Sequence, residues 1–204
     1  MIRSKICGVS DQETLKYIIN HKYHPQFVGF ICNYSKSKRY VEFDKLVKLI
    51  DVDKKNISFV AVLVNPNDLF LEKIKNLNFD YYQLYDVSPG MTKKIKKKYN
   101  KKIITSLTIE NKMDVEKYKH YKENSAIINF DSKGYEKSIG FDHKLLKNIP
   151  SSIDKMIAGN IKIEDIPNFN NTSYIIDVSG ALENKKGAKD INKIDKFLNS
   201  VHNN

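Results

Sequence analysis

The stretch SKICGVSDQE, residues 4–13, shows the βα pattern that recurs along the chain. Its apolar run ends at Cys7 and a glycine follows. Ser10 and Glu13 then have the spacing of a capping box, which predicts a helix that begins at about Asp11. The turn lacks the G-x-G-x-x-G pattern that a doubly wound open sheet has after its first strand. A doubly wound sheet therefore remains only as an alternative fold.

Short runs rich in β-branched and aromatic residues alternate with amphipathic segments from one end of the chain to the other. Strands that are apolar on both faces and separated by helices are typical of a parallel sheet. Eight such units at a spacing of roughly 25 residues predict a small (β/α)8 barrel, the TIM-barrel fold, as a single domain over residues 1–204. The predicted strands are residues 4–9, 27–32, 57–65, 81–86, 102–109, 125–131, 154–160 and 173–180, each followed by a helix.

The barrel prediction places two reactive side chains at one mouth, because active sites of this fold lie at the carboxyl ends of the strands. Cys7 ends the first predicted strand and Asp131 ends the sixth, so a thiol and a carboxyl should flank one pocket from nearly opposite walls. Alternate residues share a face, so Lys5 and Cys7 should both point inward. Two proton-transfer groups on opposite sides of a bound molecule suit an isomerase.

The candidate site residues can also be explained by structural roles alone. Free cysteine is usually buried and inert, which is how we interpret Cys32. An aspartate at a strand end, such as Asp131, can cap a helix. Arg39 by itself would be an ordinary surface charge, and Asp177 a structural hydrogen-bond acceptor.

Composition narrows the class of protein. The 204 residues are 41% hydrophobic and carry a net charge of +11, but only Arg3 and Arg39 are arginines, and the lysines are scattered apart from KKIKKKYNKK at 93–102. Arginine is favoured for reading bases and clamping phosphates, so we expect no nucleic-acid partner, although a basic nucleic-acid-binding protein stays an alternative.

No apolar run approaches the roughly 20 residues of a membrane helix, and the N-terminus has no apolar signal region. We expect a cytoplasmic protein without membrane association.

Cysteine and histidine usage argues against a metal site. Two cysteines form no disulfide framework, and the five histidines show no pair with ligand spacing. We therefore expect no metal.

Several motifs occur together in a fixed order over nearly the whole chain. They are KICGV (5–9), VGFIC…SKSKRYV (28–41), VLVN (62–65), QLY (83–85), IINFDSK (127–133), IAGN (157–160) and DVSGALE…KGAKD (177–190). In these motifs the chain resembles the phosphoribosylanthranilate isomerases, small TIM barrels of tryptophan biosynthesis that use neither a metal nor an organic cofactor.

The resemblance implies an Amadori rearrangement of a phosphorylated small molecule, carried out by a monomer or a homodimer. The family's general base corresponds to Cys7 and its general acid to Asp131. Its basic residue that meets the anthranilate carboxylate corresponds to Arg39. The loops that hold the substrate phosphate in the family correspond to Gly159, Asn160, Ser179 and Gly180. Asp177, at the end of the eighth strand, is a further candidate for substrate binding.

The chain departs from the family pattern at several of these loops. The Gly-Gly-x-Gly loop after strand six retains only Gly134 and Gly140, and Ala181 stands where the family has glycine. The histidine expected after QL is Tyr85, and a lysine common at the end of strand five is Thr105. These changes leave open a divergent barrel that binds a different sugar phosphate or binds without turnover.

Overall fold

Eight parallel strands form a closed barrel in the computed structural model, which describes residues 2–133, 140–170 and 172–204. The strands pair in sequence order, and the last pairs with the first, so the barrel prediction is confirmed and the open sheet is ruled out. The strands are β1 Arg3–Cys7, β2 Phe27–Ile31, β3 Ser58–Val64, β4 Tyr81–Tyr85, β5 Lys102–Ile109, β6 Ile127–Ser132, β7 Lys155–Ile157 and β8 Ile175–Val178.

Helices cover the outside of this barrel, and most lie where the periodicity predicts them. The α-helices are α1 Gln12–Asn20, α2 Phe43–Ile50, α3 Asp68–Ile74, α4 Pro89–Tyr99, α5 Lys112–Glu116 and α6 Ile191–Asn203. Short 3₁₀ helices span Lys117–His120, His143–Leu146, Ile163–Phe169 and Gly180–Leu182.

The helices of the sixth and seventh units are short. After β6 the helix expected over FDHKLLKNI is only the 3₁₀ segment His143–Leu146, and after β7 the short helix expected near 162–166 is the 3₁₀ segment Ile163–Phe169. Pro167 lies inside the second segment and has no N–H to continue a helical ladder.

Polar caps set the helix starts. The predicted start of α1 is confirmed, but the Ser10 capping box is wrong: Asp11 is the N-cap, and its carboxylate accepts a 2.8 Å hydrogen bond from the backbone N–H of Thr14. Asn67 caps α3 in the same way, as expected from the sequence.

The strands separate two apolar layers, because successive side chains point to opposite faces. One layer packs between the sheet and the helices, and includes Ile6, Val28, Phe30 and Phe59. The other fills the interior of the barrel and consists of Cys7, Phe27, Val60, Val62, Tyr85, Ile104, Ile127, Met156 and Ile175.

A buried ion pair lies across the seam where β8 meets β1. Lys5 and Asp177 are register partners on the two strands, and the Lys5 ammonium donates a 2.6 Å hydrogen bond to Asp177 Oδ2. Both side chains are almost completely buried. Gly29 on β2 leaves room for them: a Cβ there would lie 3.0 Å from Cys7 Sγ and 3.1 Å from Lys5 Nζ. Lys5 and Cys7 therefore both point inward, as the alternation predicts.

We expect Asp177→Asn to lower the free energy of unfolding by about 3–5 kcal/mol, because the amide leaves the Lys5 ammonium buried without a counter-charge. The double variant Lys5→Met/Asp177→Leu should regain most of that loss, since it removes both charges and keeps the volume. Urea denaturation measures both. Equal destabilisation in the single and double variants would show that charge pairing is not what this seam requires.

Candidate active site

A cavity of about 840 Å³ opens at the carboxyl ends of the strands. All of the predicted site residues line it, although they come from five different βα units: Cys7, Arg39, Asp131, Gly159, Asn160, Asp177, Ser179 and Gly180. Gly134, which the sequence comparison also singles out, lies outside the described residues. The barrel closure thus brings the whole predicted set to one place.

Cys7 stands at the floor of the cavity. Its side chain is buried, and burial raises the pKa of the Cys7 thiol, while the positive charges of Lys5 and Lys189 oppose that rise. The free protein therefore holds the thiol in its neutral form. A thiolate at this position requires additional positive charge, which a cationic molecule in the cavity would supply.

Asp131 faces the same cavity from β6. Burial raises the pKa of its carboxyl to about 6, and the negative charge of Asp177 adds to that effect. A hydrogen bond from Tyr85 and the Lys5 ammonium act in the opposite direction. At slightly acidic to neutral pH this carboxyl is divided between its protonated and ionised forms, which suits a group that gives up a proton.

Tyr85 on β4 is the immediate partner of Asp131. Its hydroxyl donates a 2.8 Å hydrogen bond to Asp131 Oδ2. Two buried amides, from Gln83 and Asn129, approach the same phenol oxygen at 3.2 and 3.4 Å, and both also donate to Ser106 Oγ at 3.0 Å. The sequence shows Tyr85 only as the residue in place of an expected histidine, and the curvature of the barrel is what brings it into contact with the acid.

Arg39 reaches the cavity from the loop after β2, and Gly8 makes room for it. Gly8 has φ +74°, and a Cβ there would lie 2.5 Å from Arg39 Cδ. A Cβ on Gly180 would lie 3.5 Å from Arg39 Nη2. The Arg39 Nε–H donates to Glu183 Oε1, which holds the guanidinium at the rim.

Glu183 joins the two rim loops, and the sequence analysis assigned it no role. It is buried and also accepts from Lys38 at 2.8 Å and Lys189 at 3.2 Å. Burial opposes its ionisation, but hydrogen bonds from Arg39 and Lys38 outweigh burial and hold the pKa of Glu183 at about 2. The GALE…KGAKD stretch contains both Glu183 and Lys189, but nothing in their spacing identifies Arg39 as their partner.

The loops after β7 and β8 bring backbone close to the cavity. Gly159 has φ +94°, and a Cβ there would lie 2.1 Å from Ser132 Oγ, so only glycine fits. Asn160 follows with φ +53°, which asparagine tolerates. Ser179 donates from Oγ to the Cys7 carbonyl at 3.0 Å, which ties the β8 loop to the end of β1.

Residues 2–133, 140–170 and 172–204 contain neither a metal-binding cluster nor a membrane-spanning helix. No group of three or more histidine, cysteine or acidic side chains there is arranged to hold a metal ion. None of the helices in the same ranges has the length and apolar character needed to cross a membrane.

Comparisons with known proteins agree on one family. The family model described as N-(5′-phosphoribosyl)anthranilate isomerase matches residues 4–200. Proteins named N-(5′-phosphoribosyl)anthranilate isomerase from Thermoanaerobacter pseudethanolicus and Clostridium acetobutylicum are 30% and 32% identical to this chain, over 98% of each chain. Among solved structures, the phosphoribosyl anthranilate isomerase of Thermotoga maritima superposes with a TM-score of 0.86 at 23% identity, over 100% of both chains.

We expect Asp131→Asn to stabilise the protein by about 3 kcal/mol above pH 7 and to change stability little near pH 4. The folded-state pKa is raised to about 6 from the ordinary value of 3.8, so ionised Asp131 costs folding energy that is absent below the unfolded pKa and complete above the folded one. Urea denaturation across this pH range measures the effect, with Asp51→Asn at an exposed position as control. A loss of stability at every pH would contradict the assignment.

Proposed function

The chain belongs to the N-(5′-phosphoribosyl)anthranilate isomerase family, and from this we propose that it converts N-(5′-phosphoribosyl)anthranilate into 1-(2-carboxyphenylamino)-1-deoxyribulose 5-phosphate, an Amadori rearrangement of tryptophan biosynthesis. One observation carries the proposal: a buried thiol, Cys7, and a carboxyl of raised pKa, Asp131, line the same cavity. One solved phosphoribosyl anthranilate isomerase is in complex with the reduced form of this product.

Asp131 acts as the general acid in this proposal. It gives its proton to the ring oxygen of the ribose, the bond between that oxygen and C1′ breaks, and the nitrogen lone pair forms a protonated imine. The raised pKa supports this role, because the acid has to hold its proton when the substrate arrives.

Cys7 acts as the general base. Its thiol first loses its proton to water at the mouth of the cavity, and the thiolate then removes the proton from C2′ of the protonated imine. The resulting enolamine gains a proton at C1′ and loses the proton of its 2′-hydroxyl, which gives the ketone. Burial raises the pKa of the Cys7 thiol in the free protein, so the positive charge of the imine has to favour the thiolate, together with the Lys5 ammonium beneath it. The base is thus formed in the presence of the intermediate on which it acts.

Residues at the rim of the cavity bind the two ends of the substrate, the anthranilate carboxylate and the phosphate. Arg39 is held by Glu183 through Nε, which leaves its Nη groups to bind the anthranilate carboxylate. The loops at Gly159–Asn160 and Ser179–Gly180 bind the phosphate through backbone N–H groups. Asp177 Oδ1 is buried at the cavity with no hydrogen-bond partner among the described residues, so it can accept from a substrate hydroxyl.

We expect purified protein to turn over N-(5′-phosphoribosyl)anthranilate, and Cys7→Ser and Asp131→Asn each to lower kcat by about 10²–10⁴-fold, because each removes a positioned proton-transfer group. Absorbance of the anthranilate ring follows the reaction, and complementation of a strain that lacks this isomerase tests it in vivo. Cys32→Ser, a buried cysteine outside the cavity, is the matched control. A correctly folded wild type without turnover would favour the divergent barrel that binds another sugar phosphate.

We expect Gly159→Ala to raise both the KM of the substrate and the inhibition constant of inorganic phosphate, each by about tenfold, which corresponds to about 1.4 kcal/mol. The added Cβ would displace the loop from Ser132, and kcat should fall as well because Ser132 follows Asp131. The inhibition constant of phosphate is therefore the measurement that reports on the phosphate site. Gly90→Ala is the matched control, since a Cβ at Gly90 meets nothing within 4 Å. An increase in KM without any change in the inhibition constant of phosphate would show that this loop does not bind the phosphate.

A further inference from the structure

We propose that Tyr85 is a positioning residue for the acid: its hydroxyl donates to Asp131 Oδ2 and thereby directs the transferable proton to Asp131 Oδ1. The inference rests on the proposed function, in which Asp131 is the general acid. It concerns the position where the family resemblance leads one to expect a histidine, and where this chain has tyrosine.

The direction of the hydrogen bond follows from the groups around the phenol. A phenol has one proton to donate, and its 2.8 Å contact with Asp131 Oδ2 is shorter than its contacts with the two amides. The amide nitrogens of Gln83 and Asn129 donate and do not accept. The hydrogen bond with Ser106 lowers the pKa of Tyr85, which is the effect of a donor to the phenol oxygen. With amide protons directed at its oxygen, the phenol hydrogen is left for the carboxylate.

This arrangement separates the two oxygens of Asp131. Oδ2 accepts the hydrogen bond, so in the neutral acid the proton belongs on Oδ1. Without the phenol, the preference of the proton for Oδ1 would be weaker, and the acid would present its proton to the substrate less often. Holding the donor oxygen in place is the positional advantage on which general acid catalysis depends.

The charged and titratable groups that act on Asp131 come from several strands. Burial and the Asp177 carboxylate on β8 favour the neutral acid. The Tyr85 hydroxyl on β4, the Lys5 ammonium on β1 and the backbone N–H of Ser132 favour the carboxylate. Loss of the Tyr85 hydroxyl should therefore raise the pKa of Asp131.

Tyrosine has one property here that histidine lacks. A histidine at this position would titrate within the range from pH 5 to 8 and could then change from acceptor to donor. Burial raises the pKa of Tyr85 well above 10, so the phenol stays a neutral donor throughout that range. In this chain the partner of the acid keeps one hydrogen-bond direction while the acid itself titrates.

The test is Tyr85→Phe, which removes one oxygen and keeps the ring. We expect kcat to fall by about tenfold to a hundredfold, because the acid loses its alignment, with KM changed by less than about twofold. The alkaline limb of kcat/KM, which reports loss of the Asp131 proton in the free enzyme, should move to higher pH by about one unit. Tyr82→Phe, which removes a hydroxyl from the outer face of the same strand, should change neither quantity.

A second measurement separates this inference from the proposed function. Titration of the Asp131 carboxyl by carbon-13 NMR, with Asp131→Asn to identify its resonance, needs no turnover. An upward pKa shift in Tyr85→Phe supports the positioning contact, and an unchanged titration overturns it. A wild type that lacks turnover would refute the proposed function and with it the catalytic consequence of Tyr85, and the titration would still report on the contact. Unaltered kcat and pH profile in an active Tyr85→Phe variant would also overturn the proposal.

Discussion

The ion pair between Lys5 and Asp177 is the interaction on which the other parts of the site depend. It joins β1 to β8, where the barrel closes, and it is buried on the inner face beneath the cavity. The same two charges act on both reactive groups: the Lys5 ammonium opposes the raised pKa of Cys7, and the Asp177 carboxylate adds to the raised pKa of Asp131. Closure of the barrel and adjustment of its two proton-transfer groups thus rely on one pair of side chains.

The cavity has a deep part and a rim, and different elements build them. The deep part is formed by strand residues, which carry the reactive groups Cys7 and Asp131. The strand backbone there is rigid and its side chains are buried, so these groups are held in fixed positions. Loop residues form the rim, and Glu183 links them by accepting from Lys38 and Arg39 on one side and Lys189 on the other. The same packing explains Gly8, which leaves the space that the Arg39 side chain occupies.

Sequence periodicity predicted the regular parts of the barrel better than its irregular ones. Strands β2 to β5 and helices α2 and α6 follow from apolar spacing, because a parallel strand buried on both faces and an amphipathic helix each leave a clear pattern. The segments after β6 and β7 carry enough apolar residues to suggest helices, yet they form only 3₁₀ turns. A few apolar side chains can be buried by a single turn, so periodicity alone does not determine helix length there.

The sequence by itself determined which residues stand at the carboxyl ends of the strands, because the strand period of two and the order of the βα units suffice to place Cys7, Asp131 and the glycine-containing loops at one mouth. It did not determine which side chains touch there. Tyr85 and Asp131 are 46 positions apart, and Arg39 and Glu183 are 144 apart. Only closure of the barrel brings such residues within hydrogen-bond distance, since contacts between non-adjacent strands depend on curvature and register that no local pattern encodes.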